Sequence, residues 1–131
     1  MKFKILLTAF FIGLLGFSSA AYADNDPVAN PKAQVVSGNA RFTVLTDRLI
    51  RMEWSEDGKF EDNATLAIIN RNLPVPAFTS SKSGDGVQIK TSAVTLNYSG
   101  GGRFDKENLS VSFKLNGKTV TWYPGKEDTG N

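Results

Sequence analysis

The chain has 131 residues with 15 Lys and Arg, 13 Asp and Glu, and neither Cys nor His. The lack of Cys excludes disulfides, thiol nucleophiles, Cys-ligated metals and lipidation on an N-terminal Cys. The lack of His excludes a Ser-His-Asp triad and removes both the usual general base and the commonest nitrogen metal ligand.

The first 23 residues read as a cleavable secretory signal. Lys2 and Lys4 form a positive start, Ile5 to Phe17 is an almost unbroken apolar run, and Ala21-Tyr22-Ala23 fits a small-x-small cleavage site. The run falls short of the roughly 20 apolar residues that a spanning helix needs. Cleavage after Ala23 leaves 108 residues and removes two basic and no acidic side chains, so the exported chain has a net charge of zero. A nucleic-acid binder shows a basic excess or stripe, and this chain has neither. Steering to an anionic membrane is unsupported for the same reason. The expected location is periplasmic or extracellular.

Residues 24–32, polar with Pro27 and Pro31, read as a flexible leader. From residue 33 the chain becomes short β-type runs separated by turn residues. Gln34 to Val36 is followed by Ser37-Gly38. Ala40 to Thr46 and Leu49 to Ser55 flank a tight turn at Asp47-Arg48. In the second of these, Ile50, Met52 and Trp54 fall on one face and Arg51 and Glu53 on the other, the period of a half-buried strand. Glu56 to Asn63 reads as a charged, solvated loop, and Ala64 to Asn70 as a strand or a short buried turn. Leu73-Pro74-Val75-Pro76 cannot be a central strand, because proline lacks a ladder donor. Phe78 to Ser81, Val87 to Thr91 and Val94 to Tyr98 continue the pattern, the last two flanked by Gly84-Asp85-Gly86 and Gly100-Gly101-Gly102. Leu109, Val111, Phe113 and Leu115 alternate most cleanly. Asn116-Gly117 then predicts a type I′ hairpin turn, with Lys118 to Tyr123 as the returning strand. No stretch carries a helical period, so residues 33–131 are expected to form one all-β domain, an antiparallel sandwich.

The motifs that could carry chemistry mostly resolve into structure. Gly117-Lys118-Thr119 resembles the end of a phosphate loop, but the required upstream glycine position holds Ser112 and no helix follows. Glu56, Asp57, Glu61 and Asp62 cluster without calcium-loop spacing or any sign of burial. Aromatic faces stack on sugar rings, which brings up Trp54, Phe104, Trp122 and Tyr123. Trp54 and Trp122 sit on the apolar faces of their strands and read as core. Tyr123 points opposite to Trp122 and, with Phe104, forms the pair of candidate carbohydrate contacts. No catalytic, cofactor-binding or metal-ligating residue is expected.

Several stretches, in order and spacing, resemble the N-terminal region of glycoside hydrolase family 31, the α-glucosidase and α-xylosidase group. They are Ala40-Arg41-Phe42-Thr43-Val44-Leu45-Thr46, Leu49-Ile50-Arg51-Met52-Glu53-Trp54, Phe60-Glu61-Asp62, and Ala64-Thr65-Leu66-Ala67 running to Asn70-Arg71. Val94-Thr95-Leu96-Asn97-Tyr98, Phe104, Asn108-Leu109, Trp122-Tyr123-Pro124-Gly125 and Asp128-Thr129-Gly130-Asn131 complete the set. The resemblance implies a sandwich of the galactose-mutarotase type, packed against a (β/α)8 barrel that cleaves α-glycosidic bonds through two Asp residues. No residue here matches those two. It also implies that the sandwich continues beyond residue 131, that the partner is the chain's own barrel, and that an α-linked oligosaccharide lies at the domain border. The alternative reading is a free-standing carbohydrate-binding or adhesion module.

Overall fold

The computed structural model describes residues 25–128; the expected signal segment, residues 1–23, lies outside them. Apart from one turn of 3-10 helix at Pro31–Ala33, the regular structure is entirely β. The strands are β1 (Gln34–Ser37), β2 (Ala40–Val44), β3 (Ile50–Trp54), β4 (Thr79–Ser83), β5 (Gly86–Lys90), β6 (Val94–Tyr98), β7 (Leu109–Leu115) and β8 (Lys118–Trp122). They form two antiparallel meanders, a three-stranded sheet in the order β1-β2-β3 and a five-stranded sheet in the order β4-β5-β6-β7-β8.

Alternation decides which side chains meet. Opposed residues share a face, and the pairs Phe42 with Met52 and Ala40 with Trp54 aim the apolar face of the small sheet inward. In the large sheet the matching pairs are Ile89 with Leu96, Val87 with Tyr98 and Tyr98 with Leu109. Phe42, Val44, Ile89 and Leu96 are fully buried where the sheets meet. The sheets therefore stack as a sandwich. Phe42, Tyr98 and Phe104 form an aromatic trio across the interface, with ring centroids 5.3 to 5.7 Å apart. Phe42 and Tyr98 come from opposite sheets, so their 5.6 Å contact joins the two layers. Glycine conformations follow the expected turns. Asn116 and Gly117 have φ of 50° and 76°, the left-handed pair that a type I′ hairpin requires.

Every residue of β2 is buried, on both faces. The outer face of the small sheet is covered by the connection between β3 and β4, which folds back across it. The acidic run is solvated, as expected, and is also anchored to the sheet at one point. Arg41, 5% exposed, receives that segment by donating to the Asp62 carboxylate at 2.7 Å and the Glu61 carbonyl at 3.1 Å, while its guanidinium carbon lies 4.8 Å from the Phe60 ring centroid. Glu56, Asp57, Glu61 and Asp62 are all exposed. Residues 64–70 form a turn rather than a strand, closed by reciprocal backbone bonds between Thr65 and Ile68, and Leu66 is wholly exposed.

The leader is docked rather than loose. Arg71, 2% exposed, donates to the carbonyls of Pro27, Glu61 and Asn63, and its backbone N–H donates to the Asp26 carbonyl at 2.7 Å. Ala29 is buried as a result. Nothing in the local sequence marks Arg71 as interior, since its neighbours Asn70 and Asn72 are polar.

Candidate functional site

The two sheets differ in width, and the difference creates the main surface feature. The small sheet covers β5, β6 and the start of β7, leaving the large sheet overhanging on both flanks. On the β4 flank the inward positions are Ser80 and Lys82, opposite Ile89 and Val87, and these suit water. On the β8 flank the inward positions are Phe113 opposite Val120, Leu115 opposite Lys118, and Val111 opposite Trp122. Leu115 is 56% exposed and Trp122 39% exposed. The sequence placed Trp122 in the core. The structure corrects this: its strand lies beyond the reach of the small sheet, so an inward-facing side chain meets no opposing layer.

A cleft of about 830 Å³ opens beside this strip. Val94, Val111 and Phe113 supply its apolar lining, and the β2–β3 turn with Thr91 and Ser92 supplies a polar wall. The wall is fixed by hydrogen bonds. Thr91 Oγ1 donates to the Asp47 carbonyl at 2.6 Å, and Ser92 Oγ donates to Oδ2 of Asp47 at 3.1 Å. Arg48 lies 3.9 Å from the same carboxylate and is itself well exposed. Asp47 is thus the one carboxylate in the lining, whereas glycoside hydrolysis needs two held roughly 5 to 9 Å apart. The lining of this cleft holds no such pair.

The β8 edge is partly closed. The Lys126 ammonium donates to the Thr121 carbonyl and lies 5.6 Å from the Tyr123 ring centroid. Tyr123, one candidate carbohydrate contact, is 36% exposed at the end of β8 and carries that lysine against its ring. Phe104, the other, sits far from Tyr123 in role: it is half-buried within the Phe42–Tyr98 trio and packs against the core. The structure does not bring the two into one site.

The strongest concentration of charge lies on the covered outer face of the small sheet. Arg41 holds Glu53 by a two-pronged bond at 2.9 and 3.1 Å, Arg51 also pairs with Glu53, and Arg71 lies close by. Burial lowers the basicity of Arg41, but the hydrogen bonds it donates to Glu53 and Asp62 outweigh this and hold Arg41 above its ordinary value. Burial drives Arg51 the other way, below its ordinary value; Glu53 opposes this, and the positive charges of Arg71 and Arg41 add to it. Arg71 Nε is buried without a partner among the described residues. These groups tie three segments together. Among the described residues no group of three His, Cys, Asp or Glu is placed to hold a metal.

No family model matches the chain, and no curated protein matches it.

Proposed function

We propose that this chain is the non-catalytic front β-domain of an exported glycosidase of the family 31 type, whose chemistry resides in polypeptide beyond this sandwich. The observation that carries the reading is the asymmetry of the two overhangs. A flank built of Ser80 and Lys82 is finished by water, while a flank built of Phe113, Leu115, Val120 and Trp122 is finished by another apolar surface. The motif order described above supports reading the adjoining polypeptide as an α-glycosidase barrel. The lack of His and Cys, and a cleft with a single engaged carboxylate, fit a supporting domain.

The test is hydrolysis of an aryl α-glucoside and an aryl α-xyloside by two proteins, the purified chain and the product of the complete reading frame. The reading expects turnover by the second alone. Turnover by the chain itself, or a reading frame closing directly after residue 131, contradicts it. The latter result favours the free-standing module.

A further inference from the structure

The sequence carries three Asn-x-Ser/Thr triplets, the acceptor pattern for oligosaccharide transfer to exported chains: Asn63-Ala64-Thr65, Asn97-Tyr98-Ser99 and Asn108-Leu109-Ser110. Their settings in the fold differ. Asn97 stands in β6, opposite Gln88 of β5 on one side and Ser110 of β7 on the other, and its Oδ1 accepts from Gln88 Nε2 at 2.6 Å. Tyr98, the middle residue of that triplet, belongs to the core. Asn108 closes the turn into β7 with both ends of its amide: Oδ1 accepts from the Asp105 N–H at 2.9 Å, and Nδ2 donates to the Arg103 carbonyl at 2.8 Å. Leu109, which follows it, is buried in the core as well. Asn63 is different. It lies exposed on the β3–β4 connection, between the exposed Asp62 and Ala64. Its backbone is anchored, the N–H donating to Glu61 Oε1 at 2.7 Å and the carbonyl accepting from Arg71 Nη2 at 2.8 Å, while its side-chain amide is uncommitted among the described residues. Downstream, the bonds that close Thr65 onto Ile68 are long, 3.2 Å between backbones and 3.3 to 3.4 Å at the Thr65 hydroxyl. Bonds of that length are weak, so this triplet opens without disturbing either sheet.

We propose that Asn63, alone of the three, is the attachment site of an N-linked glycan on the folded, exported chain. In the transfer, Nδ2 of Asn63 attacks the anomeric carbon of a lipid-pyrophosphate oligosaccharide. The C–N bond forms as the anomeric C–O bond breaks, the lipid pyrophosphate leaves with the electron pair, and the amide gives up one proton to the transferase. Nothing is oxidised or reduced. The glycan would stand on the same connection as Leu66 and Ile69, both exposed apolar side chains. A bulky, solvated modification there screens this apolar turn from other chains without burying it. Such a glycan presupposes export, as the preceding reading does, but no adjoining barrel, so its test is independent of the hydrolysis assay.

The experiment incubates the folded exported chain, and three synthetic peptides each carrying one triplet, with a lipid-pyrophosphate oligosaccharide and a single-subunit oligosaccharyltransferase that accepts any Asn-x-Ser/Thr. Occupancy is read by glycopeptide mass spectrometry. All three peptides should be modified. In the folded chain Asn63 should be modified, with Asn97 and Asn108 about a hundredfold or more slower than in their peptides, because a sheet interior opens at a free energy near that of global unfolding. Thr65→Ala should abolish transfer to Asn63, and Thr65→Ser should retain it. In the protein exported by its native cell, the peptide spanning Asn63 should carry the added mass. The proposal is overturned by a bare Asn63 in that protein, by a folded chain left unmodified at Asn63, or by folded-chain transfer to Asn97 or Asn108 as fast as to Asn63.

Discussion

At the residue scale, Arg71 ties the leader to the connection between β3 and β4. Three backbone carbonyls from two separate segments converge on it, and a backbone carbonyl buried without a partner is costly. Arg71→Met keeps much of the volume and removes every donor. It should destabilise the domain by about 2 to 4 kcal/mol in urea unfolding, with new protease sensitivity within residues 25–32. Normal stability would mean that the leader is held by something else. Its burial was not legible in the sequence, because a lone arginine between two asparagines carries the pattern of a surface loop; only the fold-back of the β3–β4 connection encloses it.

Asp57 offers a test at the same scale. The Ser55 hydroxyl, then the backbone and side chain of Lys59, hold its carboxyl below the ordinary aspartate value near 3.8. A depressed folded value contributes stability above the unfolded value that is lost as pH falls through the folded one, so the window lies below pH 3.8. Ser55→Ala should raise the Asp57 midpoint, read by NMR titration of its side-chain carbonyl. An unchanged midpoint would remove Ser55 as the principal cause.

At the scale of elements, the strands were the legible part. Period-two alternation marked β3, β5, β6 and β7, and Asn116-Gly117 marked the hairpin to β8, because each signal is local and needs no knowledge of partners. Gly117→Val forces a β-branched residue to φ of 76°. It should cost about 1 to 2 kcal/mol and weaken hydrogen-exchange protection in β7 and β8 before β5 and β6. Equal loss across all five strands would show that the hairpin does not behave as a separable unit. What alternation could not supply was sheet membership. The sequence described Trp122 as an inward-facing residue, which it is, and inferred burial, which requires a strand on the opposing sheet. Residues 64–70 are an apolar run with neither period, which fits strand and turn alike; the turn closed by Thr65 and Ile68 leaves Leu66 in solvent.

At the scale of the whole molecule, a three-stranded layer cannot cover a five-stranded one. The uncovered β8 flank joins an edge strand to an apolar face, the combination most prone to pairing with other chains. Lys118 and the Lys126 bond to Thr121 blunt the edge, but the face beside it remains bare. Leu115→Lys, at a position already 56% exposed, should leave the unfolding midpoint within about 0.5 kcal/mol of the parent while reducing self-association in sedimentation velocity. A parent chain that is monomeric at every concentration would show the strip to be tolerated by water after all.

The claim on which the functional reading turns is that this strip is covered by adjoining polypeptide. Trp122 reports on it directly. Oxidative footprinting should label Trp122 readily in the isolated chain and several-fold more slowly in the product of the complete reading frame, with Trp54 showing little difference between the two. Equal labelling of Trp122 in both proteins would contradict the account.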